Sequence, residues 1–93
     1  MTEQERAILR KTEEQLLRKL RDGETIQKIC QDRVIMLQAK ADRLAAIAPD
    51  SPAVSLLLQE AEDAGFPIRA SCERLTLLRE SIADIQERLA EGA

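Results

Sequence analysis

Ninety-three residues with a formal net charge of −3 make one small domain, and a chain this short buries only a limited core. Apolar residues are 44% of the chain and aromatics 1%, the single Phe66, which leaves Leu, Ile and Ala to pack helices and too little β-branched and aromatic mass for a sheet. Histidine is absent, which removes Ser-His-Asp and Cys-His catalysis and every His-ligated metal site, and two cysteines cannot close a tetrahedral zinc site.

The chain is therefore expected to be all-α, without metal, cofactor or small-molecule substrate, and not an enzyme. Its first residues, "MTEQERAILRK", are too polar for a signal peptide, and no apolar run approaches membrane-spanning length. A cytoplasmic protein with reduced thiols is the expectation. Residues 1–48 carry ten Lys/Arg against eight Asp/Glu, and residues 49–93 carry four against nine. A mildly basic first half and an acidic second half attract one another if the chain folds back on itself.

The first predicted helix covers residues 3–47. Written as heptads, its a positions 13, 20, 27, 34, 41 and 48 hold Glu, Leu, Gln, Val, Ala and Ala. Its d positions 9, 16, 23, 30, 37 and 44 hold Leu, Leu, Gly, Cys, Leu and Leu. This seam is good at both ends and poor around Gly23 and Gln27, where an interior glycine costs a helix about 1 kcal/mol. A break at Asp22-Gly23, with Asp22 or Thr25 capping a further helix, is the alternative.

"AIAPDSPAV" ends that helix, because Pro49 pushes Ala48 out of the α region. Ser51 then reads as an N-cap and Pro52 as the first helical residue. The second helix, about 52–64, places Val54, Leu57, Leu58 and Ala61 on one face. "DAGFP" interrupts it, with Gly65 suited to a left-handed C′ position, Phe66 folding back and Pro67 opening a third helix of about 67–90. There Ile68, Ser71, Leu75, Leu78, Ile82, Ile85 and Leu89 follow at alternating spacings of three and four, with Ser71 the one polar member.

These elements compose a long antiparallel helical hairpin, its second arm kinked at Gly65-Pro67, with coiled-coil-like packing. Counting from the turn puts partners at numbers that add to about 100, since both arms rise equally per residue. Leu44 then meets Leu57, Leu20 meets Ile82, Leu16 meets Ile85, and Cys30 falls level with Cys72. Two helices alone bury little, so completion as a four-helix bundle by homodimerisation is expected.

Three groups of residues invite a functional reading. "RDGETIQKIC" resembles the first half of the helix-turn-helix of phage small terminase subunits and some transposases, where a D-G-x-(S/T) step precedes a helix. The resemblance implies a DNA-binding module with Lys19, Arg21, Lys28 and Arg33 on phosphates. The following "QDRVIMLQAKADRL" holds no Gly, Pro, Asn or Ser to make the required turn, and the acidity of the chain opposes nucleic acid. Cys30 and Cys72 read as small apolar core residues rather than a disulfide. Carboxylate pairs such as Glu13-Glu14 and Glu60-Glu62 read as outer-face charges.

The apolar residues that the seams do not use carry the functional expectation. Ile8, Ile35, Leu56 and Leu77 lie off the seams, flanked by Leu17, Ile26, Ile29 and Met36. Grouped on neighbouring helices, such residues make a partner surface. Ile26, Ile29, Met36, Leu56 and Leu77 are the candidate contacts of a protein–protein interaction module that binds a protein partner or its own copy: an adaptor, a small chaperone or an assembly subunit. In outline the chain is similar to the small helical-hairpin chaperones of bacterial secretion systems, by fold analogy alone. A DNA-binding module, or a small helical inhibitor docking on a larger enzyme, are the alternatives.

Overall fold

A computed structural model describes residues 1–92. The chain is all-α: α1 spans Glu3–Ile47, α2 spans Pro52–Glu91, and the two pack as an antiparallel hairpin. Each helix begins on a side-chain cap. Thr2 Oγ1 accepts a hydrogen bond from the Glu5 amide at 3.1 Å, and Glu3 and Glu5 put negative charge in the first turn of α1. At the hairpin turn Ala48 still bonds back to Leu44, and Ser51 donates its amide to the Ala48 carbonyl. Ser51 Oγ accepts from the Ala53 amide at 3.3 Å, so Ser51 is the cap and Pro52 the first helical residue, as the sequence indicates.

The contacts divide into two compact units, residues 26–71 around the turn and residues 1–25 with 72–93 around the termini. In the turn unit Leu37, Ala41 and Ala61 are buried, and Cys30, Val34, Leu44, Val54, Leu57 and Ile68 are half-buried along the seam. A polar layer interrupts the seam where Gln27 Nε2 donates to Ser71 Oγ at 3.5 Å, while Ser71 donates to the Ile68 carbonyl at 3.1 Å. Among the described residues no buried side-chain nitrogen or oxygen lacks a partner.

In the terminal unit Leu75 and Ile82 are buried, with Leu9, Leu16, Leu20, Leu78, Ile85 and Leu89 half-buried. Glu24 and Arg79 form an ion pair at 3.3 Å. Arg6 Nη2 donates to the Gly92 carbonyl and ties the first turn of α1 to the end of α2.

Partner numbers add to 98 for Gly23 with Leu75 and for Gln27 with Ser71, and to 99 for Val34 with Gly65. Level partners therefore add to 98–99 rather than about 100, so each α1 residue faces α2 one or two positions earlier than a sum of 100 gives. Leu20 is thereby level with Leu78 rather than Ile82, and Leu16 with Ile82 rather than Ile85.

The structure decides four points of the sequence reading, the first as expected and the other three otherwise. First, α1 runs unbroken from Glu3 to Ile47, as expected over 3–47, and the alternative break at Asp22-Gly23 does not occur. Gly23 lies in the seam beneath Leu75, which is 2% exposed, and a Cβ built on Gly23 would stand 2.6 Å from Leu75 Cδ2. The glycine is a socket for a leucine. Second, the helices expected at 52–64 and 67–90 are one helix, with Pro67 inside it. No glycine has a positive φ, so Gly65 is not a C′ cap; it is a buried helical residue with Val34 beside it. Pro67 removes one backbone bond and crowds the carbonyl four residues earlier, a cost of about 3 kcal/mol that the seam on either side outweighs. Third, Phe66 does not fold back but is exposed. Fourth, Leu58 is exposed, one position past the seam residue Leu57.

Candidate interaction surface

With a and d in the seam, α2 continues the heptad with a at 54, 61, 68, 75, 82 and 89, and d at 57, 64, 71, 78, 85 and 92. These are buried or half-buried without exception. The remaining positions can then be assigned to sides. In an antiparallel pair the two e positions flank one edge of the seam and the two g positions the other. Glu24 and Arg79, both at e, meet across the first edge in the terminal unit.

In the turn unit the g and c positions of α1 hold Ile26, Ile29, Arg33, Met36, Lys40, Arg43 and Ile47, all exposed. On the same side, α2 presents Leu56, Glu60, Asp63, Pro67 and Ala70, also exposed, with Ala53 half-buried. Of the candidate contacts, Ile26, Ile29, Met36 and Leu56 thus share this edge, at 48–65% exposure. Such exposure in four large apolar side chains on one edge is a surface feature rather than core misplaced by the register. Ile47, at 85%, extends the edge at its turn end. Ile35 and Leu58 lie on the opposite edge and Phe66 on the back of α2.

Leu77 occupies the c position of α2 in the terminal unit and is 56% exposed, with Ile8 at the c position of α1 in that same unit. Leu17 is at e and is 37% exposed.

The charges on the turn-unit edge are segregated. The α1 strip carries Arg33, Lys40 and Arg43 and no acid; the α2 strip carries Glu60 and Asp63 and no base. The ion pairs among the described residues are Lys28 with Asp32 at 3.7 Å and Glu24 with Arg79, so none of these five enters an ion pair within the chain. Asp63 accepts one hydrogen bond, from Gln59 Nε2 at 3.1 Å.

Sequence reasoning found the exposed isoleucines and Leu56 but missed Ile47, which ends α1, and missed the segregation. Reading the g and c positions of both helices together would have shown it. The thiols differ in setting: Cys30 is half-buried in the seam, whereas Cys72 is exposed beside it at e and so is not the core residue expected. The helix-turn-helix resemblance finds no turn at Gly23 or over residues 32–36, where α1 is continuous. Lys19 and Arg33 fall at g, and Arg21 and Lys28 at b, on different sides of the helix. No helix among the described residues is long and apolar enough to cross a membrane. No family model matches the chain, and no curated protein or solved structure is significantly similar to it.

Proposed function

We propose that this chain is a non-enzymatic protein–protein interaction module, an adaptor, small chaperone or assembly subunit that works by burying an apolar helical edge against a protein partner. One observation carries the reading: Ile26, Ile29, Met36 and Leu56 stand exposed on one edge of the turn unit. Leu77, exposed in the terminal unit, is a separate candidate contact. A histidine-free composition supports a binding role over catalysis. Two thiols fit a reducing compartment such as the cytoplasm.

A photo-crosslinking residue at Ile29 or Leu56, compared with one at Lys11 on the outer face of α1, tests this. Crosslinks to a discrete second polypeptide are expected from Ile29 and Leu56 and not from Lys11. Equal labelling at all three positions would sink the idea.

A further inference from the structure

We infer that the partner of the turn-unit edge is a second copy of this chain, seated so that the basic strip of α1 in each copy lies on the acidic strip of α2 in the other. The inference rests on the interaction reading above and names its occupant. Three observations carry it. The edge combines apolar side chains with two charge strips of opposite sign, Arg33, Lys40 and Arg43 on α1 against Glu60 and Asp63 on α2. A polyanion or an anionic lipid surface meeting that edge would confront both acids as well as the bases. A second copy brings the matching strips in reverse order, and a two-fold axis satisfies both at once, since such an interface is self-complementary.

The second observation is the thin core: among the described residues only Leu37, Ala41, Ala61, Leu75 and Ile82 are buried apolar residues. Third, the chain exposes 7106 Å², whereas a globular monomer of its mass exposes about 5,400 Å². The excess, about 1,700 Å² for one chain, is ample for the roughly 800 Å² that each partner buries in a stable association.

The pairing predicts a pattern that a generic sticky edge does not. One variant, Arg33→Glu with Lys40→Glu, carries acid on both strips; the other, Glu60→Lys with Asp63→Lys, carries base on both. Absolute mass is measured by light scattering after size exclusion, with refractive-index detection because the chain has no Trp or Tyr. Helicity is checked by circular dichroism.

Wild type is expected at twice the 10.4 kDa chain mass. Each variant alone is expected as a helical single chain whose self-association is weakened at least tenfold. Their equimolar mixture is expected to regain the dimer, with one chain of each kind by native mass spectrometry. The inference is overturned by a wild type of single-chain mass at every concentration. Variants that dimerise as wild type does, or a mixture that stays unpaired, overturn it as well. If self-association fails but Ile29 and Leu56 still crosslink to a different polypeptide, only the identity of the occupant is lost; if both fail, the interaction reading falls with it.

Discussion

Gly23 shows how one residue can look like a defect and act as a fitting. An alanine there gains about 1 kcal/mol of helix propensity, yet its Cβ would press on Leu75 Cδ2, and overfilling a packed site typically costs 1–3 kcal/mol. Gly23→Ala is therefore expected to lose about 1 kcal/mol of stability in chemical denaturation. Leu75→Ala should lose about 2–3 kcal/mol. In the Leu75→Ala background the glycine has nothing to accommodate, so adding Gly23→Ala should stabilise by about 1 kcal/mol. A double-mutant cycle with no change of sign would disprove the socket. The sequence alone cannot reveal this role, because it depends on which side chain, 52 positions away, arrives opposite.

At the scale of the element, the seam of α1 was legible throughout. Its heptad positions from Leu9 to Ala48 are all buried or half-buried, because three-and-four spacing is a property of the helix itself. The second arm reads as broken at Gly65-Pro67 because the local breaking signals carry no trace of the packing of Ala61, Ile68 and Leu75 around them. That packing holds α2 together against the proline. Gly65→Ala meets only the end of the exposed Arg69 side chain at 3.2 Å and Val34 Cγ2 at 3.8 Å. It should raise stability by about 0.5–1 kcal/mol. Pro67→Ala restores an amide donor on an exposed position and should add about 1–3 kcal/mol, both read as shifts in denaturation midpoint at constant slope. If either substitution destabilises, a break at these residues is being used by the fold. The candidate surface was legible as exposed isoleucines; its two-signed charge pattern emerges only when the g and c positions of both helices are read together as one edge.

For the whole molecule, coupling of folding to association has a thermodynamic signature independent of any substitution. If the folded form is a dimer, a hundredfold rise in chain concentration should lift the thermal midpoint by about 7 °C, from mass action against the unfolding entropy of two chains. A midpoint independent of concentration would instead describe a chain that folds alone. The polar layer of Gln27 and Ser71 acts within the chain: a polar pair in an apolar seam fixes the register of the two helices at some cost in stability.

The bond from Arg6 to the Gly92 carbonyl also has a mechanical consequence. It brings residues 6 and 92 together, so a force applied through those two residues pulls the helices apart sideways, one rung after another, instead of sliding them along each other. Each rung carries the load alone, and the chain should open as a zipper does, starting at Arg6 and moving toward the Ser51 cap.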